Sequence, residues 1–178
     1  MYKRQALTAG GGARVVSLSS GGHHRGGMRW DDVMWTRDYD KWLAYGQAKT
    51  ANALFALHLD TLGAEHGVRA FSVHPGGILT PLQRHLTREE MVEMGWIDEQ
   101  GRQVAQGFKT PEQGAATSVW AATSPLLEGR GGVYCEDCDV AVESAGRFRV
   151  GVAAWASDPE QAARLWALSA ELTGTDLP

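Results

Sequence analysis

Two short apolar runs separated by one long amphipathic segment constrain the fold of this chain most. Residues 14–19 form the first run and residues 68–74 the second, and both have the length of a β-strand. Continuous apolar character is typical of parallel strands that are buried on both faces. Residues 40–62 between them have the length and pattern of a helix, so the order predicts a strand–helix–strand unit.

Local signals predict three more helices and one more strand. Residues 87–94, 110–122 and 158–172 each open with a Thr or Asp that can cap a helix, and a Glu or Gln follows within the first turn. Residues 132–135 have the length of a short strand, and residues 9–12 and 21–39 are glycine-containing loops. The fold class is therefore α/β, with a parallel, doubly wound sheet in a single domain that covers residues 1–178.

Tyr45 and Lys49 stand four residues apart on the predicted long helix, and Ser20 follows the first apolar run. Residues at that spacing lie one above the other on a helix face. The ammonium of Lys49 would favour the phenolate of Tyr45, so the phenol could donate or accept a proton near neutral pH. A serine hydroxyl beside it can hydrogen-bond the same substrate oxygen. The three side chains suit chemistry at an alcohol or carbonyl carbon.

Three motifs follow one another along the chain: ARVVSLSS, then Tyr45-x-x-x-Lys49, then VRAFSVHPGGILT. This order resembles the carboxyl-terminal half of the short-chain dehydrogenase/reductase family, in particular its retinol-dehydrogenase-like branch. The resemblance covers roughly residues 13 to 145. It implies a Rossmann-like sheet and an NAD(P)-dependent oxidoreductase that passes a hydride between the nicotinamide and a hydroxyl or carbonyl carbon.

The resemblance also implies roles for the three candidate catalytic residues. Ser20 would orient the substrate oxygen, and Tyr45 would act as the general acid and base and also contact the cofactor. Lys49 would support Tyr45, hold the ribose hydroxyls of the cofactor and relay protons to water. The alternatives are that Ser19 and Ser20 only terminate the strand by bonding local backbone, and that Lys49 is a surface lysine.

The segment after the second apolar run is the candidate cofactor turn. Pro75 and Gly76 end the strand at the edge of the sheet where open α/β folds bind ligands. The resemblance implies that the Ile78 backbone and the Thr80 hydroxyl contact the nicotinamide of NAD or NADP. A simple turn without a ligand is the alternative.

The glycine-rich turn that seats the pyrophosphate in this family has no counterpart in the sequence. Gly10-Gly11-Gly12 lies before a predicted strand, whereas a phosphate-binding turn follows a strand and opens a helix. We therefore expect an incomplete Rossmann-like fold that lacks the amino-terminal half, and a native start upstream of Met1. We also expect this 178-residue polypeptide to bind NAD(P) poorly.

Composition sets limits on the partners. The net charge is −4 and charged residues make up 21% of the chain, which does not suggest nucleic acid or an anionic membrane surface. No apolar run approaches the roughly 20 residues that span a bilayer. We expect a cytoplasmic protein with a small alcohol or carbonyl substrate, and a homodimer is one possible assembly.

Two clusters invite metal or redox chemistry. His23 and His24 have no carboxylate or cysteine at a convincing ligand spacing, so we predict that they pack within the loop, which would pass near the substrate. Cys135 and Cys138 form a C-x-x-C pair without a second pair, and the pair does not open a helix. We predict two reduced thiols and no metal.

Two other functions remain open. A noncatalytic remnant would keep the fold and act as a binding or interaction module. A nucleotide-sugar epimerase or dehydratase of the extended type would use the same Tyr/Lys chemistry, but usually with a longer carboxyl-terminal substrate domain than the residues after Thr80 offer.

Overall fold

A computed structural model describes residues 2–145 and 150–175. The strands are β1 (Ala13–Leu18), β2 (Val68–His74), β3 (Val133–Glu136) and β4 (Asp139–Val140). The helices are α1 (Tyr2–Ala9), α2 (Lys41–Gly63), α3 (Arg88–Glu93), α4 (Pro111–Thr123) and α5 (Pro159–Thr173). Short 3-10 turns cover Gly21–Arg25, Ala64–His66, Pro81–His85, Pro125–Leu127 and Ala154–Ala156.

The four strands form one sheet in the order β1-β2-β3-β4. β1, β2 and β3 are parallel, with Ala13 opposite Val68 and Phe71 opposite Val133. The two-residue β4 runs antiparallel to β3. The predicted α/β class and parallel sheet are confirmed, and β4 adds an antiparallel strand that the sequence did not predict.

Helices cover both faces of the sheet. On one face the buried side chains come from β2, β3, α4 and the turn after α4, namely Phe71, Val73, Cys135, Ala121 and Leu127. On the other face α2 packs with β3 and the segment before α5, through Ala53, Tyr134, Val152 and Ala156. Successive residues of β3 thus point to opposite faces, as the alternation along a strand requires. The sheet is doubly wound.

The predicted start of α2 is confirmed by its cap. The carboxylate of Asp40 accepts hydrogen bonds from the backbone N–H groups of Trp42 and Leu43, at 2.9 and 2.8 Å. At the other end Gly63 lies against β2, where an added Cβ would stand 2.8 Å from the Val68 carbonyl oxygen. The cap fixes the end of α2 that carries Tyr45 and Lys49, and the glycine lets its other end pack on the sheet.

Several segments differ from the prediction. Helix α1 was not predicted, and Gly21–Arg25 of the predicted loop over residues 21–39 forms a 3-10 turn. Ala9 belongs to α1 and only Gly10–Gly12 turns the chain, so the predicted loop over residues 9–12 is one residue shorter. The turn between β3 and β4 holds Asp137 and Cys138 with φ of 49° and 58°. Two successive residues at positive φ match the tight hairpin turn that follows the twist of its strands. Neither is glycine, so the hairpin has no sequence signature.

A carboxylate joins the far end of α2 to the sheet. Asp60 accepts two hydrogen bonds from the guanidinium of Arg69, at 2.8 and 2.9 Å, and a third from the Ala70 N–H at 2.9 Å. It also lies against Gly131, where a Cβ would collide with it. The hydrogen bond with Asp60 and its negative charge raise the pKa of the Arg69 guanidinium. Asp60 is the main polar link between α2 and β2.

Asp60→Ala should lower the free energy of unfolding by about 2–3 kcal/mol, because it leaves the Arg69 guanidinium and the Ala70 N–H without their acceptor. Urea denaturation followed by circular dichroism measures the change. Asp31→Ala is the matched control, because Asp31 pairs with Arg37 where both side chains are mostly exposed. The control should shift stability by less than about 0.5 kcal/mol. Equal effects of the two substitutions would contradict the prediction.

Candidate active site

Ser20 and Tyr45 meet at Gly22. A Cβ added to Gly22 would lie 2.6 Å from Cε1 of the Tyr45 ring and 3.5 Å from the Ser20 hydroxyl oxygen. The hydroxyl oxygen accepts a hydrogen bond from the Gly22 N–H at 3.0 Å, which leaves its proton available to donate. Ser19 is buried instead and donates to the Lys49 carbonyl at 2.8 Å. The two serines have different surroundings, and Ser20 is the one beside Tyr45.

Lys49 stands beside Tyr45 on the same face of α2. Its ammonium nitrogen lies 5.6 Å from the centre of the Tyr45 ring and 3.2 Å from the Leu18 carbonyl oxygen. Partial burial lowers the pKa of Lys49. A lysine with one acceptor from the end of β1 retains N–H donors for a hydroxyl-bearing ligand. The structure thus brings Ser20, Tyr45 and Lys49 together around the ends of β1 and α2.

The candidate cofactor turn lies next to Ser20, at the carboxyl end of β2. Gly76 has a φ of 91°, and its N–H shares an acceptor, the Nδ1 of His74, with the N–H of Gly21. Ile78 packs on α4 at Gly114, where a Cβ would collide with its side chain. Pro75 and Gly76 are therefore at the sheet edge that also carries Ser20, as the sequence predicts.

The hydroxyl and the backbone N–H of Thr80 both form local hydrogen bonds. Its hydroxyl accepts from the Leu82 N–H at 3.2 Å, and the Gln83 side chain bonds the Thr80 N–H at 2.8 Å. The same Gln83 side chain donates to the Ile78 carbonyl at 3.0 Å. Thr80 caps the turn Pro81–His85, so its hydroxyl has a structural partner in this conformation. A nicotinamide contact by Thr80 remains a prediction.

His74 is the histidine of the VRAFSVHPGGILT motif, and no role was predicted for it from the sequence. It accepts from the N–H groups of Gly21 and Gly76, at 3.2 and 3.3 Å. Burial, followed by the positive charge of Lys109, lowers the pKa of His74 to about 4. It links the Ser20 turn to the cofactor turn. A histidine that ends a buried strand immediately before a turn was the available signal.

His23 was predicted to pack within its loop, but its side chain also contacts β3 and the segment before α5. It is fully buried, with Nδ1 2.6 Å from the Ser20 carbonyl oxygen and 3.1 Å from the Tyr134 hydroxyl. Its Nε2 accepts from the Ala153 N–H at 3.1 Å. Burial lowers the pKa of His23 to about 4. No local pattern reveals this role, because Tyr134 and Ala153 lie more than a hundred residues away along the chain.

Three half-buried aromatic side chains connect the start of α2 to the cofactor turn. The rings of Trp42 and Trp96 meet edge to face at 6.4 Å, and the Trp96 and Phe108 rings lie 5.8 Å apart. Phe108 in turn covers Gly77, where a Cβ would stand 2.7 Å from the Phe108 ring. We call Trp42, Trp96 and Phe108 the aromatic wall. It begins one helical turn before Tyr45.

The charged side chain of Lys109 lies over the same turn. A Cβ at Gly76 would lie 2.8 Å from its Cδ, and its backbone N–H donates to the Gly77 carbonyl at 2.8 Å. Its ammonium pairs with Asp137 of the β3–β4 hairpin. A Cβ at Gly77 would collide with the Phe108 ring, and Gly76 has a φ of 91° that disfavours a side chain, which accounts for the two glycines.

The cysteines and histidines show no metal site in the part of the chain that is described. No group of three His, Cys, Asp or Glu side chains within residues 2–145 and 150–175 could hold an ion. Both thiols are free; burial raises the pKa of Cys135 to about 12, whereas Cys138 is exposed in the hairpin turn. No helix in those ranges is both long and apolar enough to cross a bilayer.

No family model matches the chain, but individual proteins do. A protein of Streptomyces lividans named "Probable oxidoreductase" is 46% identical over 93% of this chain and 57% of its own length. The short-chain dehydrogenase/reductase prx1 of Penicillium roqueforti is 40% identical over 90% of this chain and 46% of its own length. The chain thus spans about half the length of the curated relatives it matches.

A solved structure has a similar fold. The crystal structure of an uncharacterised protein from Mycobacterium paratuberculosis superposes with a TM-score of 0.61 and 29% identity, over 94% of this chain and 52% of that one. The chain belongs to the short-chain dehydrogenase/reductase family.

Proposed function

We propose that the protein containing this chain is an NAD(P)-dependent oxidoreductase that interconverts an alcohol and its carbonyl compound. The observation that carries the proposal is the meeting of the Ser20 hydroxyl, the Tyr45 ring and the Lys49 ammonium around Gly22 and the end of β1. Family membership supports the reaction type. This activity is proposed for the whole protein, because the chain spans only about half the length of its relatives.

The residues of the site fit the chemistry of a bound nicotinamide nucleotide. Lys49 offers ammonium donors for ribose hydroxyls, and Gly76 and Gly77 follow the carboxyl end of β2, the edge of the sheet at which open α/β folds bind nucleotides. When bound, the nicotinamide supplies or accepts the hydride at its C4. No other step is required of it.

The side chains of this chain would handle the substrate oxygen. In carbonyl reduction, Ser20 donates a hydrogen bond to that oxygen and Tyr45 gives it a proton as the hydride arrives at carbon. Lys49 stabilises the phenolate left on Tyr45, because a cation close to the ring favours the charged form. Alcohol oxidation is the same sequence in reverse, with Tyr45 taking the proton.

The aromatic wall favours a substrate with a flat or apolar body. Trp42, Trp96 and Phe108 present apolar ring surface between the start of α2 and the cofactor turn. The Arg25 guanidinium lies 5.0 Å from the centre of the Trp42 ring, and Glu90 and Glu93 line the same pocket, so the polar end of this surface carries charges of both signs. We propose hydrophobic or aromatic alcohols and carbonyl compounds as the substrate class.

Transfer of deuterium from 4-deuterated NADH or NADPH to a panel of aromatic and aliphatic carbonyl compounds tests the reaction. The assay is run on this chain and on this chain fused behind the amino-terminal half of the Streptomyces lividans relative. Deuterium at the carbinol carbon, with aromatic substrates preferred, is the expected product. A folded fusion that binds the cofactor yet transfers no deuterium to any substrate would favour a noncatalytic binding module instead.

A further inference from the structure

The peptide bond between Ser20 and Gly21 is held on both sides by imidazole rings, those of the buried His23 and the half-buried His74. Its carbonyl oxygen lies 2.6 Å from His23 Nδ1 and also accepts from the His23 N–H at 3.0 Å. Its N–H, on Gly21, lies 3.2 Å from His74 Nδ1. A peptide plane with both polar groups bonded cannot rotate without breaking them.

The partners of His23 determine its tautomer. A carbonyl oxygen only accepts, so the 2.6 Å contact with Ser20 requires a proton on Nδ1 of His23. A backbone N–H only donates, so the 3.1 Å contact with Ala153 requires a bare Nε2. His23 is therefore neutral, with its proton on Nδ1.

His74 must adopt the opposite tautomer. Its Nδ1 faces two backbone donors, the N–H groups of Gly21 and Gly76. Two donors at one nitrogen require that nitrogen to be bare, which leaves the proton of the neutral ring on Nε2. One ring therefore donates to the Ser20–Gly21 peptide and the other accepts from it.

We propose that His23 and His74 are positioning residues which, in these opposite tautomers, fix the Ser20–Gly21 peptide and so aim the Ser20 hydroxyl. The link to the hydroxyl is short, because the next N–H, on Gly22, donates to the Ser20 oxygen at 3.0 Å. His74 also bonds the Gly76 N–H, so the same ring sets the distance from Ser20 to the cofactor turn. The catalytic consequence rests on the proposed function; the geometry of the peptide does not.

Nitrogen-15 NMR of the imidazole rings in this chain near pH 7 tests the tautomers without cofactor or substrate. We expect the proton of His23 on Nδ1 and that of His74 on Nε2. The exposed His85 serves as the internal reference for a ring in exchange with water. A proton on Nε2 of His23, or on Nδ1 of His74, would overturn the proposal.

Amide hydrogen exchange at Gly22 reports on the Ser20 hydroxyl. His74→Leu removes the acceptor for Gly21, so the peptide is freed and exchange at Gly22 should rise about tenfold, as expected for one lost hydrogen bond. His74→Asn should restore protection, because an amide oxygen can replace Nδ1 as the acceptor. His85→Leu is the matched control and should leave Gly22 unchanged.

The outcomes separate this proposal from the proposed function. Unchanged exchange at Gly22 in a folded His74→Leu variant, or no recovery in His74→Asn, would refute the positioning role even if the protein turns over substrate. The expected tautomers and exchange rates together with no deuterium transfer would leave the positioning geometry standing and refute the oxidoreductase. If both hold, kcat falls in His74→Leu and recovers in His74→Asn.

Discussion

Tyr45→Phe is expected to lower kcat by about 10²–10⁴-fold while cofactor affinity stays within a factor of about two, because general acid–base catalysis contributes that much to the rate. The substitution removes only the hydroxyl, so the ring that packs on Gly22 and lies beside the Lys49 ammonium is retained. Steady-state kinetics and calorimetric titration of the fusion protein measure the two quantities.

Tyr39→Phe is the matched control for this substitution. Tyr39 is 69% exposed and lies before the start of α2, so losing its hydroxyl should leave kcat unchanged. Turnover of Tyr45→Phe within about tenfold of the parent would remove Tyr45 from the acid–base role. A loss of cofactor affinity as large as the loss of kcat would instead point to a binding role for the phenol.

Acidification from pH 7 to pH 5 is expected to destabilise the protein by a few kcal/mol. Burial lowers the pKa of both His23 and His74 from 6.5 to about 4 in the folded state. Above pH 6.5 both rings are neutral in the folded and the unfolded chain, so they contribute no pH dependence. As the pH falls towards 4 only the unfolded chain takes up protons, and each ring costs up to about 3 kcal/mol.

Urea denaturation at pH 7, 6 and 5 measures this loss. The window lies above the range in which the carboxylates with lowered pKa titrate, such as Asp32 with a pKa of about 2, so those groups add little to it. His74→Asn should be less stable than the parent at pH 7 but lose less stability on acidification. A parent chain whose unfolding midpoint is the same at pH 7 and pH 5 would contradict the lowered pKa of the two rings.

The elements that were predicted correctly are those that local chemistry determines. Thr87 and Glu90 form a reciprocal cap at α3, and Thr110 does the same with Gln113 at α4. These bonds join residues three apart, so they can be read from the sequence. β2 can likewise be predicted from the sequence, because a strand buried on both faces needs a continuous apolar run.

The elements that were missed depend on partners far along the chain. The hairpin at Asp137 and Cys138 uses positive φ at two residues that are not glycine, and β4 exists only through its pairing with β3. His23 reaches Ala153, and His74 reaches Gly21. The order of Ser20, Tyr45 and Lys49 predicts the candidate site, but the hydrogen bonds that orient it follow from the fold as a whole.

The two ends of α2 have separate tasks. Tyr45 and Lys49 lie in its first three turns, whereas Asp60 anchors it to β2 about three to four turns further on, a rise of roughly 16–22 Å. Effects at sites so far apart usually add. Substitutions near Trp42 could therefore change substrate preference during evolution without weakening the contacts of Asp60. A stabilising substitution near Asp60 could likewise compensate for a destabilising one near Tyr45.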